Sequence, residues 1–142
     1  MRRIVLLLNE KNHYLEKFYS LNETELKNFV YGRFETLETF YQTREKILEI
    51  IRYVDSQINA LRIEADENDD QLEPEIKKLM RQALMIKDQY VGKIIEQDLS
   101  ILSCIESAKS EIIRELQDLR RSKKAVAGYK SPTFKQRLIE EA

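Results

Sequence analysis

Apolar residues recur at helical spacing along most of the chain. In the first segment the regularly spaced apolar residues are Leu8, Leu15, Phe18, Leu26 and Phe29. After Gly32 a second series runs through Phe34, Leu37, Tyr41, Leu48, Ile51, Ile58 and Leu61. The pattern therefore predicts two amphipathic helices, over about residues 2–30 and about residues 33–62.

Gly32 lies between these two segments and has the residue type that commonly ends a helix in the left-handed conformation. The two helices would each be about 45 Å long at 1.5 Å per residue, and equal lengths favour an antiparallel hairpin. A single helix kinked at Gly32 is the alternative, because the apolar phase nearly continues across it. Asn22 and Glu25 have the spacing of a capping box, but we interpret them as a polar turn within a continuing helix.

An acidic stretch at 64–75 is the clearest linker, and Pro74 suits an early position of the next helix. The third helix is predicted over about residues 74–122. Its main stripe comprises Ile76, Leu79, Ala83, Ile86, Tyr90, Ile94, Ile101, Ile105, Ala108, Ile112, Leu116 and Leu119. A second stripe comprises Leu84, Val91, Ile95, Leu99 and Leu102. Because a wide apolar face requires two neighbours, we expect the first half of this helix to lie between the other two.

The helical pattern stops after residue 122, so residues 123–142 are interpreted as a flexible tail with a mild basic bias. The predicted fold class is therefore all-α. The expected architecture is an antiparallel three-helix bundle over residues 1–122 with an extended C-terminal helix. A long kinked helical hairpin is the alternative.

The amino-acid composition excludes several classes of fold and function. Three Gly and two Pro leave little turn material for a β-sandwich. The 24 basic and 25 acidic residues balance to a net charge of −1, so we expect no nucleic-acid partner. The apolar run Ile4–Leu8 is too short for a signal peptide or a spanning helix. We therefore expect a cytoplasmic protein that does not insert into a membrane.

Apparent catalytic and metal motifs are incomplete. Glu10 and His13 have the Glu-x-x-His spacing of di-iron bundles, but those sites need a second such motif and the chain has one His. Asp66, Asn68 and Asp70 resemble the start of a calcium loop, whose bidentate Glu is replaced by Lys77. Cys104 is interpreted as a packed side chain. We expect no enzyme activity, no cofactor and no metal site.

The C-terminal half of the third helix keeps one apolar stripe without an obvious intramolecular partner. Its members Ile105, Ile112, Leu116 and Leu119 are separated by seven, four and three residues, so they share one helix face. An exposed apolar stripe of this kind is typical of a surface that pairs with another amphipathic helix. This predicts an interaction protein.

Over roughly residues 4–130 the chain resembles the flagellar type III export chaperones of the FlgN/FliT type. The resemblance rests on several segments in order: Leu6–Lys11, Tyr31–Glu38, Arg44–Leu48, Lys109–Leu119, Lys123–Lys124 and Gly128–Tyr129. One departure is Arg33, which stands where the family commonly has an acidic residue.

The resemblance implies a small cytoplasmic chaperone that binds the C-terminal helices of flagellar hook-associated or filament-cap subunits. It would prevent their premature assembly and deliver them to the export apparatus. Carried over by position, the client-binding residues would be Ile105, Ile112, Leu116, Leu119 and Tyr129. A second function class stays open: a self-associating coiled-coil scaffold, such as a homodimer, without an export role.

Overall fold

The computed structural model describes residues 2–66 and 73–128, with side chains from 2 to 64 and from 73 to 126. It contains helices α1 (Arg2–Val30), α2 (Leu37–Asp66) and α3 (Pro74–Gly128), and no strand within the described residues. The all-α prediction is confirmed.

The chain reverses direction at Gly32, so the hairpin prediction is confirmed and the kinked single helix is wrong. Gly32 has a φ of +75°. Its N–H donates to the carbonyl of Phe29 at 3.0 Å, and the N–H of Arg33 donates to that of Asn28 at 2.9 Å. This pair of bonds is a Schellman motif, in which a left-handed residue satisfies the last free carbonyls of a helix.

The observed helix ends differ from the predicted ones. α2 begins at Leu37 rather than Arg33, because the carbonyl of Thr36 accepts the first helical bond from Phe40 and so makes Thr36 the cap. Pro74 opens α3 as predicted. The helix continues to Gly128 rather than ending near 122, through alanines that favour helix. The predicted tail therefore begins six residues too early (128 − 122), and residues 129–142 lie outside the described part of the chain.

The chain divides into two units, residues 1–102 and residues 103–142. In the first unit all three helices contribute to one apolar cluster. Its buried members are Ile4, Val5, Leu7, Leu8, Val54, Ile58, Ile76 and Ala83. Near the reversal, Phe29 stacks on Phe34 and meets Phe40 edge-on, with centroids 5.3 and 5.4 Å apart. These contacts hold α1 and α2 together along the hairpin.

Polar contacts attach α3 to the hairpin. Asn12 of α1 donates through Nδ2 to the carbonyl of Ala83 at 2.9 Å. Farther along, Asn22 donates through Nδ2 to Gln97 Oε1 at 3.1 Å. Gln97 Nε2 in turn donates to the carbonyl of Tyr19 and to Glu23 Oε1, at 3.1 and 2.8 Å. α1 runs unbroken through Asn22, so the expectation of a continuing helix is confirmed.

Arg44 of α2 completes this polar network. Its guanidinium carbon lies 4.7 Å from the ring centroid of Phe18 and 5.2 Å from that of Phe40. Its Nη2 donates to the Asp98 carboxylate of α3 at 3.2 Å. One side chain therefore contacts all three helices of the first unit. The aromatic rings shield its charge from solvent, which strengthens the bond to Asp98.

The expected burial of the second stripe is wrong. Leu84, Val91, Ile95, Leu99 and Leu102 are between 38% and 64% exposed. The buried positions of α3 in this unit are Ile76, Ala83, Gln97 and Ile101. At about 100° per residue the second stripe lies roughly 100–200° around the axis from Ala83 and Gln97. The hairpin therefore covers one narrow face of α3 and leaves the adjacent apolar face open.

Replacing Gly32 and Gly92 by alanine should have opposite effects on stability. An added Cβ meets nothing within 4 Å at either site, so backbone conformation alone decides the outcome. Gly32→Ala forces a left-handed alanine and should cost about 1–2 kcal/mol. Gly92→Ala, within α3, should add about 0.5–1 kcal/mol. Urea unfolding followed by circular dichroism measures both, and effects of the same sign would contradict this account.

Removing Gln97 should destabilise the first unit. Gln97→Ala removes the 3.1 Å acceptor of the fully buried Asn22 amide, which keeps only Asp98 Oδ1 at 3.3 Å, and it opens a void between α1 and α3, at a cost of about 2 kcal/mol. Gln89→Ala, on the exposed side of the same helix, is the matched control and should change stability by no more than about 0.5 kcal/mol. Equal midpoints for the two variants would show that the network does not stabilise α3.

Candidate client-binding surface

Residues 103–128 of the second unit form the C-terminal part of α3, and most of their side chains are exposed. Local charge helps this segment to stay helical. Glu111 precedes Arg114 by three residues, and Asp118 precedes Arg121 by three residues. Opposite charges at this spacing favour a helix locally, whereas the last turn before Gly128 has no basic residue to interact with the helix dipole.

Three of the predicted client-binding residues share an exposed face. Ile112, Leu116 and Leu119 are between 51% and 58% exposed. Ile105 is half-buried, and Tyr129 lies outside the described residues. The structure thus places the centre of the predicted stripe at the surface, where contact with another molecule is sterically open.

The stripe belongs to a regular repeat that we call the heptad row. Its positions are alternately four and three residues apart: Ile105, Lys109, Ile112, Leu116, Leu119, Lys123 and Val126. This spacing is the signature of a coiled-coil interface. The row extends over about 31 Å of helix at 1.5 Å per residue. The five aliphatic residues of the row form an apolar surface of the kind that packs against a second helix.

The other side of this segment is polar. A shallow groove there is lined by Ser103, Glu106, Ser107, Ser110, Glu111 and Arg114. Small hydroxyl and charged side chains of this kind hydrate readily. The segment is therefore amphipathic, with its apolar side chains on one face and its polar side chains on the opposite face.

The exposed second stripe of the first unit is another apolar surface, and the sequence analysis assigned it to the core. The periodicity that found both stripes could not show that the hairpin covers only the face of the main stripe. The signal that sequence reasoning missed is the polar pair Asn22 and Gln97, one residue on each of two helices. Buried amides need partners, so such a pair favours contact between the faces that carry them.

A groove of about 450 Å³ in the first unit contains residues of all three helices, including Leu8, Ile58 and Leu84. Its wall carries the ion pair between Lys11 Nζ and Asp55 Oδ1, 2.8 Å apart. Arg62 and Lys87 also line it. The ion pair neutralises two of the charges that line the region, and we interpret it as an open groove between helices.

The sequence offers two other side chains that are common in catalytic or metal sites, His13 and Cys104. His13 is exposed and Cys104 is half-buried. In residues 2–66 and 73–128 no group of three or more His, Cys, Asp or Glu side chains is arranged to hold a metal ion. Within the same ranges no helix combines the length and apolar character needed to cross a membrane.

Comparison of the chain with protein-family models, with curated proteins and with solved structures found no match to any of the three.

Proposed function

We propose that this protein is a cytoplasmic export chaperone that binds the helical C-terminus of a flagellar hook-associated or filament-cap subunit. The observation that carries the proposal is the exposed apolar face at Ile112, Leu116 and Leu119. A helix that is apolar on one side and polar on the other is suited to pair with a second amphipathic helix.

The chemistry of this face supports a chaperone role. The resemblance implies that the chaperone covers the C-terminal helix of its client before export and so prevents premature assembly. A row of Ile and Leu can do so without the covalent or catalytic groups of an enzyme. Association of this kind is reversible because no covalent bond forms, and it is driven mainly by apolar burial. Delivery to the export apparatus follows from the same proposal and would use other surfaces of the chain.

A self-associating coiled-coil scaffold is the second candidate, and the heptad row is the observation that favours it. Alternate spacing of four and three residues suits a second copy of the same helix as well as a client. Sedimentation of the purified chain over a range of concentrations separates the two functions. A dimer that dissociates when Ile112 is replaced by Glu would favour the scaffold, and a monomer would favour the chaperone.

Replacing Ile112 or Leu116 by glutamate should abolish client binding while leaving the protein's own stability unchanged. Each substitution places a charge against the client's apolar surface, which is costly, and the site is exposed in the free protein. The expected loss is at least about tenfold in affinity. The ligands are fluorescent peptides of the C-terminal helices of the hook-associated and cap proteins encoded in the same genome.

Ser110→Glu provides the matched control. Ser110 is exposed and lies on the polar side of the same segment, so a glutamate there should leave both affinity and melting temperature near the wild-type values. A glutamate variant that melts much earlier would show that Ile112 or Leu116 is a core residue. A variant that binds every peptide as well as the wild type does would exclude this face as the client site.

A further inference from the structure

Two lysines interrupt the heptad row. Lys109 and Lys123 occupy positions of the row that, by spacing, should face a partner helix, and they are fourteen residues apart. Fourteen residues are two heptads, or about 21 Å of helix. A partner that covers the whole row has to accommodate two ammonium groups within an otherwise aliphatic interface.

A second copy of this segment does not place a carboxylate at the row positions that would face Lys109 and Lys123. In a parallel pair each row position meets its own copy, so Lys109 would face Lys109 and Lys123 would face Lys123. In an antiparallel pair the lysine positions face the other set of row positions, which here comprises Ile105, Ile112, Leu119 and Val126. Like charges repel in the first arrangement, and in the second each lysine faces an aliphatic row position rather than a carboxylate.

The nearest acidic residues of the same helix do not neutralise the lysines of the row. Asp98 precedes Ile105 by one heptad, but its carboxylate already accepts hydrogen bonds from Arg44 and Asn22. Glu106 precedes Lys109 by three residues, yet no ion pair joins them in the described structure. A pair at that spacing on one exposed helix would contribute only about 0.2–0.5 kcal/mol.

We propose that the heptad row selects a partner helix whose apolar stripe carries two carboxylates fourteen residues apart, one for Lys109 and one for Lys123. The proposal rests on the proposed function and specifies the chemistry of the client. Aliphatic residues of the partner pack against Ile112, Leu116 and Leu119. The lysine stems lie along this stripe and their ammonium groups reach its edge, where the carboxylates meet them. The charges set register and exclude self-pairing.

Two synthetic helices test this inference. Both have five heptads with an aliphatic stripe, and they differ only at two stripe positions fourteen residues apart, which are Glu in the acidic helix and Lys in the basic helix. The full-length protein should bind the acidic helix at least about tenfold more tightly than the basic one. The preference should shrink as salt is raised, because the row is open to solvent.

Charge reversal on the protein gives the decisive comparison. The double variant Lys109→Glu/Lys123→Glu should prefer the basic helix. The control double variant Arg121→Glu/Lys124→Glu has the same change in net charge at exposed positions outside the row, and it should keep the preference for the acidic helix. If both double variants preferred the basic helix, overall charge rather than the row would select the partner. That result would overturn the inference.

The remaining outcomes separate this inference from the function on which it rests. Equal binding of the acidic and basic helices would overturn the charge selection and leave helix binding intact. If neither synthetic helix binds but the flagellar C-terminal peptides do, the inference fails and the chaperone function stands. If none of them binds, both fail. A dimer of the protein alone that Ile112→Glu dissociates would also overturn the exclusion of self-pairing.

Discussion

The buried amide pair of Asn22 and Gln97 decides which side of α3 faces the hairpin. Asn22 is fully buried and donates to Gln97, whose own amide donates to the backbone of α1. Turning α3 about its axis would break these bonds inside an apolar environment, where unpaired polar groups are costly. The covered face also carries the buried apolar residues of α3, Ile76, Ala83 and Ile101, so apolar burial favours the same rotation. These hydrogen bonds and the burial of Ile76, Ala83 and Ile101 act on the same face of α3, and the second stripe on the adjacent face stays exposed.

The consequence for function is that α3 presents apolar surface in both units. In the first unit this surface is the second stripe, which lies beside the polar contacts that fix the helix. In the second unit it is the heptad row, with aliphatic side chains and two lysines on one face. Large exposed apolar patches mark interaction sites in most proteins that retain them. The first unit holds the N-terminal half of α3 against the hairpin through the apolar cluster and the polar contacts.

Much of the fold could be predicted from the sequence because it depends on local signals. The repeat of apolar residues indicated three helices, Gly32 indicated the reversal, and Pro74 indicated where α3 begins. The exposure of Ile112 and Leu116 also followed from the narrow stripe around them. The environment of Leu84 and Ile95 could not be predicted, because it depends on how wide a face of α3 the hairpin covers beyond the main stripe. That width depends on contacts such as those of Asn22, Gln97 and Arg44, which are far apart in sequence and have no periodic signature.

The central claim is that the apolar face of residues 103–128 is free in the protein alone and becomes covered by a partner helix. Backbone amide hydrogen exchange, resolved by mass spectrometry, measures this directly. The account predicts rapid exchange of this segment in the free protein, since its helical hydrogen bonds are open to water. Addition of a bound C-terminal flagellar helix should slow exchange there. Slow exchange in the free protein, or protection by the added helix only within residues 1–102, would contradict the claim.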